Sequence, residues 1–263
     1  MKIFIESVIG IVITLFLLMI CAAIVYRVRV GSLWRTVSEQ CVSGFLREGD
    51  PRPCLVLQPS SGYALLRAHD GPVHFLLVAQ KRTLNSDERA MKSSGAPGYF
   101  RLAWQLRGVL SQELGRPIPD AAVSLALDAP DWFQQDQLNV SMACLRPDVM
   151  RLLQVIGHPL PDNSWITYRI HGHLFWFRAL THKEFMSENI LRRISLEKPG
   201  GVVQLGRSGV ALALLSDGRF LLAVQPGRWD KTEGSSGKAT DLQDYSCKSA
   251  NVVTHLGLTP SPH

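Results

Sequence analysis

The sequence predicts an α+β fold, an antiparallel sheet with packed helices behind one apolar N-terminal segment. Three observations carry this. Short apolar runs come in pairs around turn sequences, as hairpins do. Stretches of helical period lie between them without a regular βαβ alternation. Residues 7–26 (SVIGIVITLFLLMICAAIVY) form a run of 20 uncharged, mostly apolar residues in a chain of 263. As a helix that run spans about 30 Å, the thickness of a hydrocarbon core.

The elements follow in chain order. Residues 1–30 read as an uncleaved single-pass anchor, because the apolar run exceeds a signal peptide's and no polar cleavage region follows Cys21-Ala22-Ala23. Residues 34–54 read as a short helix and a loop closed by Cys41 and Cys54. Tyr63–Ala68 and Val73–Ala79 flank His69-Asp70-Gly71-Pro72 and read as a hairpin, with His69 and His74 expected to be exposed. Tyr99–Leu114 reads as one amphipathic helix, with Phe100, Ala103, Leu106, Val109, Leu110 and Leu114 on one face. Gly115 and Pro117 end it. Ala121–Leu127 and Leu138–Leu145 are strand-like, and Asp148–Ile156 suits a short helix.

Trp165–Ala179 reads as two strands broken near His171-Gly172-His173. Thr181-His182-Lys183-Glu184 has capping-box spacing, so a helix should run on to about Ile194. Val210–Leu215 and Phe220–Val224 flank Ser216-Asp217-Gly218 as another hairpin. Thr240–Cys247 reads as a last short helix. The globular domain thus covers residues 31–247, and 248–263 read as a loose tail.

The charge balance is 28 basic to 22 acidic residues, a net +6. That suits approach to an anionic bilayer. No clustered basic patch or motif points to nucleic acid. Orientation is read from two conflicting signals. Arg27, Arg29 and Arg35 after the span favour a cytoplasmic domain. Cys41, Cys54, Cys144 and Cys247, an even set outside any metal-binding pattern, favour two disulfides in an exported domain over four buried thiols. Closing the Cys41–Cys54 loop would contribute about 3 kcal/mol. Export is the expectation. The aromatic run Leu174-Phe175-Trp176-Phe177 either lines an acyl groove or is buried on both faces, and burial is expected.

Three motifs occur in order: Leu102-Ala103-Trp104-Gln105, Pro117–Ala126 (PIPDAAVSLA), and Cys144-Leu145-Arg146-Pro147-Asp148-Val149. On these the sequence resembles the bacterial CDP-diacylglycerol pyrophosphatases, membrane-anchored relatives of the histidine-triad hydrolases. The resemblance runs from about Leu33 to Cys247 and includes the anchor and the four globular cysteines. It implies a histidine-triad-like domain on the periplasmic side of a bacterial inner membrane. It implies cleavage of CDP-diacylglycerol to phosphatidate and CMP without a cofactor, with membrane lipid, CDP-diacylglycerol or CMP as ligands. Family catalysis uses His-x-His-x-His on a strand, whose period of two aims all three imidazoles into one pocket.

Here Gln137, Asn139 and Ser141 occupy those three positions, alternating with Leu138, Val140 and Met142. The strand pattern is kept and the histidines are not. Asn139 has no nucleophilic lone pair, and the local sequence offers Ser141 only Asp136 and no histidine as a base. The connection Asp128–Asp136 carries three aspartates where the family has an asparagine and basic residues. Asp128, Asp131 and Asp136 with Gln137 and Asn139 form no known metal loop, so no metal is expected. Substrate-binding candidates are Arg82, kept from a second family loop, Asp128, Arg146, which either contacts phosphate or pairs with Asp148, and His173 and Arg178, which match family positions. Two readings remain: a family hydrolase working by an altered mechanism, and a silent relative acting as a lipid, nucleotide or protein interaction module at the membrane. Lost histidine catalysis is the expectation.

Overall fold

A computed structural model of the chain describes residues 10–21, 32–84, 87–93, 95–130, 137–157, 159–161, 163–201, 203–227 and 236–252. Among the described residues, ten strands form one antiparallel sheet. They are β1 (Val56–Gln58), β2 (Tyr63–Arg67), β3 (Phe75–Ala79), β4 (Val123–Leu127), β5 (Asn139–Leu145), β6 (Ile166–Ile170), β7 (His173–Leu180), β8 (Ser208–Leu214), β9 (Phe220–Pro226) and β10 (Gln243–Asp244). Their order is β1-β2-β3-β5-β4-β8-β9-β7-β6. β4 pairs with Cys144 from one side. On the other side β3 ends opposite Met142, and Asp244 of β10 continues the ladder opposite Cys144.

The pleat divides the sheet by parity. Leu65, Leu77, Leu125, Val140 and Met142 enter the main core with Phe100, Trp104, Phe177 and Phe220. Ala64, Leu66 and Val78 point to the opposite face, where they meet Val37, Cys41, Cys54 and Leu57. The segment that covers this second face is helical from Ser32 to Glu48, with π geometry over Thr36–Val42. Two disulfides fasten the framework. Cys41–Cys54 closes a separation of 13 residues, and Cys144–Cys247 one of 103.

Several expectations hold. The 63–79 and 208–226 hairpins form. Asp148–Ile156 lies inside the helix Pro147–Gly157. The Thr181–Glu184 capping box is complete. Phe175 and Phe177 are core residues, and Trp176 packs against the core.

Four expectations are corrected. Tyr99–Leu114 is two helices, Tyr99–Gln105 and Gly108–Leu114. Arg107 makes the break. Its guanidinium holds both Asp120 oxygens at 2.6 and 2.9 Å, bonds the Trp104 carbonyl and lies 4.5 Å over the Trp104 ring. The next residue, Gly108, is a weak helix former. The helix after Thr181 is likewise broken into His182–Ser187 and Ile190–Glu197. Asn189 caps the second by accepting from Leu191 N–H and donates to the Met91 carbonyl. Thr240–Cys247 is not a helix. A 3-10 turn (Ala239–Leu242) leads into β10, because the bond from Cys247 to Cys144 ties this segment along β5. His74 is buried, and the reason emerges at the site.

Ser249–Val252 adds a helical turn with Ser249 and Ala250 buried. Residues 10–21 are helical and exposed, with Cys21 a free thiol. Among the described residues no helix is long and apolar enough to cross a membrane. The rest of the 7–26 run lies outside the described residues.

The two disulfides close loops of different length, so their removal should differ. In the chain-entropy account a loop of about 100 residues is worth roughly 4–5 kcal/mol and one of about 15 roughly 3. Urea unfolding of a Cys144→Ala/Cys247→Ala double variant should therefore show the larger stability loss, against Cys41→Ala/Cys54→Ala. The reverse order would refute that ranking.

Candidate active site

The site grows from the face of β5 opposite the main core. Asn139 and Ser141 lie on it by parity. In the ladder, Val78 faces Asn139 and Leu76 faces Ser141. His74 stands one residue before β3 and shares the parity of Leu76 and Val78, so its ring falls over the same face. That places it 4% exposed instead of at the surface of a turn. Its Nε2 is 2.8 Å from Ser141 Oγ, and its Nδ1 is 2.5 Å from Asp70 Oδ1 in the hairpin turn.

The imidazole is held flat. Tyr245 stacks on it with ring centroids 3.9 Å apart and planes 6° from parallel. Gly71 makes this possible, since a Cβ there would stand 2.3 Å from the Tyr245 Cβ. Ser141 Oγ donates to Gln243 Oε1 at 2.6 Å, while Gln243 Nε2 donates to the Ser124 and Ser141 carbonyls. Burial lowers the pKa of His74, against the hydrogen bond and charge of Asp70, which raise it. The ring is thus neutral near pH 7. A carboxylate at Nδ1 assigns the proton to that nitrogen, which leaves Nε2 as an acceptor facing Ser141. Burial pushes the Tyr245 phenol up to about 12, reinforced by the charges of Asp70 and Asp128 and opposed by its hydrogen bonds with Thr240 and Ser141.

These groups line a cavity of about 700 Å³. One wall is apolar: Leu33, Leu66, Ala68 and Leu76. The lining also carries Asp70, Asp128 and Asp241 and the basic residues Arg67 and Lys238. Asp128 accepts from Thr240 N–H at 2.9 Å and Thr240 Oγ1 at 2.6 Å. Burial raises its pKa, which those bonds oppose. A second hollow of about 450 Å³ lies beyond Thr240, Asp241 and Tyr245 and is lined by Arg146, His171 and His173. Arg146 and His171 both bond Asp148. They outweigh burial, which pushes the other way, and hold that carboxyl down to about 2.

The residues singled out in the sequence divide into three groups. Asn139, Ser141 and Asp128 line the first cavity, and Arg146 and His173 the second. Gln137 is a structural strut: its Nε2 donates to the Ala79 and Lys81 carbonyls, and its Oε1 accepts from Thr83 N–H. Asn139 donates to the Gln137 carbonyl. Arg82 is exposed and lines neither hollow. Arg178 is buried away from both, bonded to Glu197 and Asn163. Asp131 and Asp136 lie outside the described residues. His171 has φ 50 in the turn before β7, and His173 is the first residue of that strand.

The expectation that Ser141 lacks a base is overturned by His74. Asp70, His74, Gln243 and Tyr245 were not among the sequence candidates. The parity of His74-Leu76-Val78 signals the histidine only once β3 is known to pair with β5.

A model of the family described as CDP-diacylglycerol pyrophosphatase matches residues 29–251. A curated CDP-diacylglycerol pyrophosphatase from Yersinia pestis is 32% identical over 252 residues, covering 92% of this chain and 93% of its own length. The chain therefore belongs to the CDP-diacylglycerol pyrophosphatase family.

The His74 environment makes a titration prediction. Its folded pKa lies below the unfolded value of about 6.5. Between those two values the unfolded chain binds the extra proton. The contribution to stability is therefore complete above about pH 6.5 and is lost as pH falls toward the folded pKa. NMR titration should place the His74 midpoint below 6.5, and Asp70→Asn should lower it further. A midpoint at or above 6.5 would refute the assignment.

Proposed function

We propose that, within the CDP-diacylglycerol pyrophosphatase family, this chain is a membrane-anchored member that does not run the family's histidine chemistry. Its cavity takes a membrane-derived ligand at the bilayer surface. The observation that carries this reading is the state of the three strand positions. Gln137 spends its amide on the backbone of the neighbouring loop, Asn139 bonds the Gln137 carbonyl, and no imidazole stands at the nucleophile position. Electrostatics support it. Asp70, Asp128 and Asp241 line the cavity. An ionised carboxylate about 4 Å from a phosphate charge costs roughly 4 kcal/mol at an effective dielectric near 20.

Placement at a membrane is supported by the uncharged run 7–26, whose residues 10–21 form an exposed apolar helix. The cavity wall includes Leu33, a few residues after that run. Two disulfides favour a domain on the oxidising, periplasmic side of a bacterial inner membrane.

The test is CMP release from CDP-diacylglycerol in mixed micelles by the full chain, with and without Mg²⁺. No release above the protein-free rate is expected. Introducing Gln137→His, Asn139→His and Ser141→His together should not restore release, because the acidic wall remains. Sustained release by the unaltered chain would overturn the proposal, above all release that survives Asn139→Ala.

A further inference from the structure

We propose that Asp70, His74 and Ser141 form a serine-nucleophile relay that hydrolyses neutral carboxylic esters in the cavity beside the anchor. The relay rests on distances between side chains from three separate places: the hairpin turn, the approach to β3, and β5. Asp70 to His74 is 2.5 Å and His74 to Ser141 is 2.8 Å. A carboxylate on Nδ1 fixes the tautomer that leaves Nε2 free to take a serine proton. The stacked Tyr245 prevents the ring from swinging off that line. Orientation of a base on its nucleophile is the requirement for activating a hydroxyl.

Ser141 Oγ donates its one proton to Gln243 Oε1 at 2.6 Å, lies 2.8 Å from His74 Nε2, and is also hydrogen-bonded to the Tyr245 phenol. Gln243 cannot reverse its amide without setting its oxygen against the Ser124 and Ser141 carbonyls. The glutamine therefore holds Oγ in place as a second partner beside His74. Rotation about the Cβ–Oγ bond directs the proton to Nε2.

The substrate class follows from the walls. Asp70, Asp128 and Asp241 outnumber Arg67 and Lys238 in the lining, which disfavours a substrate that arrives as a dianion more than one that arrives as an uncharged ester. Leu33, Leu66 and Leu76 offer an apolar surface to an acyl chain. About 700 Å³ lies within the usual range of small-molecule sites. In the first step Ser141 Oγ bonds the ester carbon, its proton passes to His74 Nε2, and the alcohol leaves carrying that proton. In the second, water bonds the acyl carbon, gives a proton to Nε2, and the acid leaves as Oγ regains the proton. The sum is ester plus water to acid plus alcohol.

This inference goes beyond the proposed function, and its test is separate from CMP release. The full chain in detergent micelles is treated with a fluorophosphonate probe, and labelled peptides are read by mass spectrometry. One label on Ser141 is expected, with displacement of fluoride. Ser141→Ala should abolish it. His74→Asn should slow labelling at least 100-fold. Asp70 is exposed, so Asp70→Asn should fold as the unaltered chain does, checked by its melting curve, and should slow labelling at least tenfold. p-Nitrophenyl butyrate should be hydrolysed with the same variant dependence. Release of fatty acid from phosphatidylcholine vesicles would identify the ester source as lipid; hydrolysis of the soluble ester alone would identify a soluble one. Failure of the folded, unaltered chain to label at Ser141 would overturn the relay. So would labelling indifferent to both His74→Asn and Asp70→Asn. Labelling without ester hydrolysis would overturn the substrate class. CMP release lost in Ser141→Ala would overturn that class and the proposed function together, while leaving the nucleophile standing.

Discussion

The site depends on one covalent constraint, the bond from Cys144 in β5 to Cys247 near the end of the described chain. It holds residues 239–247 against the polar face of the central strand. That single placement brings Asp241, Gln243 and Tyr245 to the cavity and puts Thr240 on Asp128. Without it, Ser141 would lose the glutamine that holds its hydroxyl, and His74 would lose the ring that keeps it flat. A two-residue strand such as β10 has too few ladder bonds to stay paired alone. The loop it closes is long, so the constraint also removes much freedom from the unfolded chain.

Parity along β5 does the rest. Alternate residues serve two environments: Val140 and Met142 fill the main core, while Asn139 and Ser141 meet the cavity. The core face is dense, so the strand cannot slip by one residue without sending Met142 to the cavity and Ser141 into the core. The register that packs the core is thus the register that aims Ser141 at His74. Gln137 extends the same logic beyond the strand. Its amide satisfies two carbonyls and one N–H of the 79–83 loop, groups that would otherwise lack those partners.

Local pattern made most of the framework legible. The hairpins, the capping box at Thr181 and the alternation at 137–142 are written in neighbouring residues. What the sequence concealed depends on distant partners. Arg107 breaks a helix because Asp120 captures it, and nothing in the apolar period of residues 99–114 shows that. Gln243 and Tyr245 sit in a segment of helical appearance that a disulfide draws into a strand. His74 sits beside a turn sequence that reads as exposed, and it is buried by the pairing of β3 with β5. Asp70 and His74 are 71 and 67 residues from Ser141, so no motif could join them.

The same geometry builds a site on a strand face that carries Asn139 and Ser141. A histidine-triad strand aims imidazoles from within one element, and replacing them removes the chemistry from that element. Here an imidazole reaches the third position from outside, on the approach to β3. It arrives 2.8 Å from the oxygen of Ser141. The lining of the cavity around it carries both signs of charge, Asp70, Asp128 and Asp241 with Arg67 and Lys238. Asp70 faces the imidazole, and Asp128 is buried enough for its pKa to rise, yet remains bonded to Thr240. A buried carboxyl with a raised pKa moves toward its neutral form, which lessens its repulsion of any ligand but supplies no attraction for an anion. Asp70 differs because it is largely exposed and ion-paired in geometry with a neutral ring. Its charge stabilises an imidazolium only when His74 takes up a proton, which is the moment when the serine oxygen becomes nucleophilic. The pocket is therefore organised around the contact between Ser141 and His74, with Asp70 placed to stabilise an imidazolium.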